Sequence, residues 1–165
     1  MTTIERNPHV SIDCLPYSPT HGGGMIAEAV LATALALSAS PAAHQAAQIP
    51  TDQRVFASCV SERESHGNYK ARGDRSSARG RWQFLDAQWR HGLAYMVADR
   101  LHRKGMSKAA AQLVRIHLQS ISIDQWAPVY QDAGFIEVLN ARGKWSGWRH
   151  WYAPGSRCNA LAGRS

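Results

Sequence analysis

Apolar residues recur along this chain at the spacing of helices. Phe56 and Val60 fall four apart, so the segment from Asp52 to Ser65 reads as an amphipathic helix with both on its inner face. A second helix is expected from Leu85 across Trp89 toward His102. Ser107 stands where an N-cap belongs, and Leu113, Ile116, Leu118 and Ile121 are the core candidates of the helix it opens. Pro128 suits the first turn of a last long helix, ending near Gly143, whose Val129, Ala133, Ile136 and Leu139 share one side. Between the first two helices, Asn68 to Arg81 lacks a helical period and is expected to be irregular or a short hairpin. The predicted class is therefore α+β, mainly α, with a small β or loop lobe.

The same period singles out one acid. Glu64 lies four residues after Val60 and eight after Phe56, on the apolar face, whereas Glu62 points almost the opposite way. Gly67 is a natural left-handed cap, which puts Glu64 in the last helical turn beside the negative end of the helix dipole. Apolar surroundings and that dipole both favour the neutral form of a carboxyl group. A carboxyl group kept protonated near neutral pH is what protonation of a glycosidic oxygen requires.

Ahead of residue 51 the composition changes. Residues 1–24 are polar and rich in turn formers, closing on Gly22-Gly23-Gly24, and are expected to be a disordered extension. Met25 opens an apolar stretch, and residues 25–48 are expected to be a signal peptide or apolar anchor, with the length of a secretory h-region followed by small residues. Glu28 and the lack of a basic cluster just before it leave a plain Ala-rich helix as an alternative.

The 165 residues, 44% of them hydrophobic, suit one domain over 51–160 plus this extension. A formal charge of +7 implies attraction to polyanions, whether nucleic acid or anionic cell-wall polymers. Arg72, Arg75, Arg79 and Arg81 are spread through a loop, and no basic run is long enough to choose between these polyanions. His91, His102, His117 and His150 lie far apart, with no His-Glu-x-x-His or Cys-x-x-Cys spacing. No metal or cofactor is expected. Phosphate-loop and Gly-x-Ser-x-Gly motifs are missing too, which removes nucleotide hydrolysis and serine esterase chemistry.

Three blocks stand in order along the chain. They are Cys59 with Glu64-Ser65-His66-Gly67-Asn68-Tyr69; Gly80-Arg81-Trp82-Gln83-Phe84 with Trp89; and Gln131-Asp132-Ala133 with Gly143-Lys144-Trp145-Ser146-Gly147-Trp148 and Cys158. Together they resemble the transglycosylase-like domains of actinobacteria and their phages, which are related to resuscitation-promoting factors and belong to the lysozyme-like superfamily. In resuscitation-promoting factors the Cys directly precedes the Glu, whereas here five positions separate Cys59 from Glu64. His66 stands where Gly is commoner, and Gly92 to Asp124 is longer than in compact relatives.

The resemblance implies a lysozyme-like domain that cleaves the β-1,4 bond between N-acetylmuramic acid and N-acetylglucosamine with a single catalytic Glu64. Its substrate is the peptidoglycan glycan strand. Gln83 would hold the sugar or its N-acetyl group, Ser65 would orient the Glu64 carboxyl, and Asn68 and Tyr69 belong to the substrate side. Trp82 and Tyr152 are the candidates for stacking on sugar, while Trp89 and Trp126 read as structural. Cys59 would pair with Cys158, leaving Cys14 as the odd thiol.

With that reading a monomer is expected, with no nucleic-acid partner and no specific protein partner, secreted or wall-associated, or a virion-associated or phage-encoded lysin. Asp74, in the Arg-rich loop, and Asp86, which reads as a helix N-cap, are the acids a hydrolase on the same fold would use to position water. A non-enzymatic basic wall-binding or virion protein is the remaining alternative.

Overall fold

The expected helix over 52–65 forms as a 3-10 turn, Thr51–Gln53, running into α2, Arg54–Ser65, with Phe56, Ala57 and Val60 buried. The computed structural model describes residues 36–141 together with Thr33, Trp151 and Cys158. Its other elements are α1 (Pro41–Ala47), β1 (Ala78–Arg79), β2 (Phe84–Leu85), α3 (Asp86–Arg103), α4 (Lys108–Ser120), a 3-10 turn (Ile123–Gln125) and α5 (Pro128–Asn140). The two strands pair antiparallel, Ala78 opposite Leu85 and Arg79 opposite Phe84. A mainly helical domain with one small β lobe results.

α5 is the central helix. Pro128 sits in its first turn, and Ala133, Ile136 and Leu139 are buried as the period predicts. The opposite side is buried as well, with Tyr130, Gln131, Phe135 and Val138 all enclosed, because α1 and α3 pack against the helix from different directions. A helix apolar nearly all round belongs in the middle of a core. It ends at Asn140, and Gly143 lies outside the described residues.

Aromatic rings fill the space between α5 and the β lobe. Trp82 stacks on Phe135 with ring centroids 3.8 Å apart, and Trp151 leans on both Phe135 and Phe84. Trp89 contacts Phe84 more loosely, and Trp126 donates its indole N–H to the Leu118 carbonyl at 3.0 Å. Trp126 is wholly buried, as expected of a structural residue, while Trp89 is only partly buried. Trp145 and Trp148 lie outside the described residues.

Three expectations need correction. Ser107 does cap α4, accepting from the Ala110 N–H, but the buried stripe is Ala111, Val114, His117 and Leu118, and Ile116 is 44% exposed. Ile116 is two residues from both Val114 and Leu118, which turns it away from that stripe. Asp86 is the first residue of α3 rather than its cap; Leu85 holds the cap position, and Asp86 Oδ1 instead accepts from the Ile123 N–H at 2.8 Å. The third concerns the start of the domain.

Residues 41–47, assigned from sequence to the signal or anchor stretch, form a domain helix. Ser40 caps α1 by accepting from the Ala43 N–H at 3.2 Å, and Ala43 and Ala46 are buried. Small alanines let α1 lie close to α5. The buried Arg100 then locks it in place, donating to the Ala46 carbonyl at 2.6 Å and pairing with Glu137 at 3.0 Å. Residues 1–24 fall outside the described residues, and among those described no helix is long and apolar enough to cross a membrane.

Cys59 on α2 and Cys158 are joined in a disulfide across a sequence separation of 99. Closing a loop of that length removes about 4 to 5 kcal/mol of chain entropy from the unfolded state. Cys14 lies outside the described residues.

Candidate active site

α2 stops on two successive left-handed residues. His66 has φ of 52° and donates its N–H to the Glu62 carbonyl at 3.1 Å; Gly67, at φ 78°, donates to Ser61 at 3.2 Å. The cap thus begins one residue before the expected glycine. Glu64 lies in the last turn, its side chain 9% exposed, while Glu62 is 72% exposed and meets His66 at the surface. The facing read from helical period is what forms. Its surroundings are not only apolar, because Arg63 reaches over from the next position and donates to Glu64 Oε1 from Nε at 2.9 Å and from Nη2 at 2.5 Å.

The second block of the sequence becomes the turn of the hairpin. Gly80 to Gln83 join β1 to β2, with Gly80 at φ 77° and Gln83 at φ 50°, and the Gln83 N–H closes the turn on the Gly80 carbonyl at 3.2 Å. Both ends of the Arg81 peptide are then fixed from outside. Its N–H donates to the buried Gln131 Oε1 at 2.9 Å, and its carbonyl accepts from Ser65 Oγ at 2.8 Å. Gln131 Nε2 bonds the carbonyls of Tyr69 and Ile123 at 3.0 Å and Trp126 at 3.2 Å. One side chain on α5 and one on α2 therefore hold the turn beside the end of the Glu64 helix.

The Arg81 side chain is the hub of a polar network. Nε donates to Ser61 Oγ at 2.7 Å, Nη1 donates to Tyr69 OH at 2.6 Å and lies 3.6 Å from Asp132 Oδ1, and the guanidinium covers the Trp82 ring at 4.6 Å. Asp132 accepts from Tyr69 OH at 2.8 Å and from Trp82 Nε1 at 3.0 Å. Burial raises the Asp132 carboxyl above its ordinary range, against the opposing pull of Tyr69, Arg81 and Trp82. Burial, and then Asp132 itself, push the Tyr69 phenol up to about 12. Neutral Tyr69 is thus a fixed donor to Asp132.

No protein-family model, curated protein or solved structure matches this chain.

The structure brings Glu64, Ser65, Tyr69, Trp82 and Gln83 into one region but gives several of them other tasks. Ser65 serves the Arg81 carbonyl rather than the Glu64 carboxyl. Trp82 is wholly buried between Arg81 and Phe135, so no face of its ring is open to stack on a sugar. Gln83 is half-buried and donates to the Gly80 carbonyl at 2.9 Å, bracing its own turn. Exposed Asn68 shapes a surface turn by accepting from the Lys70 N–H at 2.8 Å, and Tyr152 lies outside the described residues. Asp74 is exposed.

Arg81, Gln131 and Asp132 were missed as site residues. A polar pair in the otherwise apolar run Val129 to Ile136 was the available signal, since side chains at such positions are buried and must find partners. Among the described residues no cluster of His, Cys, Asp and Glu could hold a metal ion.

Proposed function

We propose that this chain is a peptidoglycan-cleaving lytic transglycosylase of lysozyme-like fold, with Glu64 as its single acid and base. The observation that carries the reading is the Ser65 to Arg81 hydrogen bond, which ties the end of the Glu64 helix to the Gly80–Gln83 turn. Two segments distant in sequence, each resembling the same family, are neighbours in space.

In this reaction Glu64, as the acid, protonates the glycosidic oxygen as the bond to the muramyl anomeric carbon breaks. The resulting carboxylate takes the proton of the muramyl 6-hydroxyl, whose oxygen bonds to that carbon and closes a 1,6-anhydro ring. No water is consumed, and the step calls for neither a metal nor a second carboxylate. For Glu64 to act as the acid, Arg63, 32% exposed, must leave Oε1 when the sugar binds. Asp132 is engaged by Tyr69 and Trp82, and Asp86, one of the two acids a hydrolase would use, by the Ile123 N–H, while Asp74 is exposed. That favours a route needing one carboxylate over a hydrolase with a positioned water. The excess of basic residues suits an anionic wall, and the disulfide suits an oxidising compartment.

The deciding experiment is mass spectrometry of purified peptidoglycan after incubation with the protein. Anhydro-muramyl ends are expected, lost by roughly 10²-fold or more in Glu64→Gln and retained in Glu62→Gln. Reducing ends instead would make the protein a hydrolase, and equal behaviour of the two variants would remove Glu64 from the chemistry.

A further inference from the structure

Two clefts, each of about 310 Å³, adjoin along the side of α2 that leads to Glu64. The first runs between Gln48 and Ile49 on one wall and Arg54 and Ala57 on the other, and Arg81 stands at its edge. The second shares Gln48, Ile49 and Arg54 with it and continues to Arg100 and Lys104. Among the described residues no carboxylate lines either one.

The charges are of two kinds. Arg100 is paired with Glu137, and Arg81 is turned toward Ser61, Tyr69 and Asp132. Arg54, whose Nε donates to the Ile49 carbonyl at 3.4 Å, and Lys104 are exposed and set the potential of the groove. Ala57 precedes Glu64 by seven residues, two turns along one helical stripe, or about 10.5 Å at 1.5 Å per residue. Arg81 belongs to both places, lining the groove while its carbonyl is bonded by Ser65 beside the acid.

We infer that this groove is a subsite for an anionic segment of the wall polymer, gripped by Arg54 and Lys104 while the glycan bond lies at Glu64. The choice of polymer rests on the function proposed above; the preference for an anion rests on the groove. Carboxylates of the peptide stems and phosphodiesters of wall-attached polymers present the same chemistry to an arginine and a lysine.

The test is sedimentation binding of the full chain, in a Glu64→Gln background that blocks turnover, with and without Arg54→Gln and Lys104→Gln together. Four preparations of purified wall serve as probes: complete, acid-stripped of phosphate polymers, amidase-stripped of peptide stems, and stripped of both. On complete wall the double variant is expected to bind roughly fivefold more weakly at low salt, with a flatter dependence on ionic strength and unchanged thermal unfolding. The stripped wall on which this contrast disappears identifies the source of the anion. Affinity and salt dependence unaffected by the double variant would overturn the subsite, as would a contrast persisting on wall stripped of both. Product analysis of the unmutated chain separates the two readings. A binding contrast without cleavage keeps the groove and removes the enzyme; cleavage without a contrast keeps the enzyme and removes the groove.

Discussion

A Cβ placed on Gly80 would sit 2.3 Å from Gln131 Oε1, the atom that accepts the Arg81 N–H. The Gln131 amide is held by bonds to three further carbonyls and has no room to yield. Gly80 also has φ of 77°, where a side chain is strained. Gly80→Ala is therefore expected to cost about 2 to 5 kcal/mol, strain and overpacking together. It should lower the melting temperature by on the order of 10 °C and misplace the turn beside Glu64. A variant that melts with the parent would show that the Gln131 anchor is dispensable.

Two aspartates are expected to titrate with opposite effects on stability. Asp132, raised by burial, binds a proton more readily in the folded than in the unfolded protein. Its contribution is full at acid pH below the ordinary value of 3.8 and is lost as pH rises through the folded value. Burial also opposes the charge of Asp124, but Ser122 and Arg72 outweigh it and hold that carboxyl low, so its contribution is present above 3.8 and lost as pH falls. Melting curves from pH 3 to 7 should show Asp132→Asn gaining on the parent as pH rises. Asp124→Asn should lose its deficit as pH falls. Parallel curves for both variants would contradict the assigned environments.

Gln83 combines a strained backbone with a bond to its own turn, and two substitutions separate these from any contact with sugar. Gln83→Ala keeps the positive φ and removes the bond to the Gly80 carbonyl, an expected loss of about 1 kcal/mol. Gln83→Gly removes the same bond but relieves the strain, so it should be the more stable of the two. If Gln83 also holds substrate, both should lose kcat/KM by tenfold or more despite their different stabilities. Activity that merely follows stability would confine Gln83 to bracing the turn.

Much of the framework was legible without coordinates, because helical period and caps act within a few residues of sequence. Phe56, Val60 and Glu64 share a face wherever that segment is helical, and Ser107 and Pro128 mark helix starts by local hydrogen bonding and fixed φ. The pairing of Cys59 with Cys158 came with the family resemblance and not from spacing; it was likewise in hand before the fold.

What the chain order conceals is which polar groups meet across it. Arg81 and Asp132 lie 51 positions apart, and Ser65 and Arg81 lie 16 apart, so no local pattern couples them. Trp82 as a core ring rather than a sugar platform follows from Phe135 arriving opposite it. The Ala-rich α1 becomes part of the domain only because α5 and Arg100 supply a surface for it. Sequence thus determined the elements, the face that carries the acid and the excess of positive charge. Tertiary packing alone decided which buried polar atoms satisfy one another, since desolvated donors and acceptors take whatever partners the fold brings within hydrogen-bonding reach.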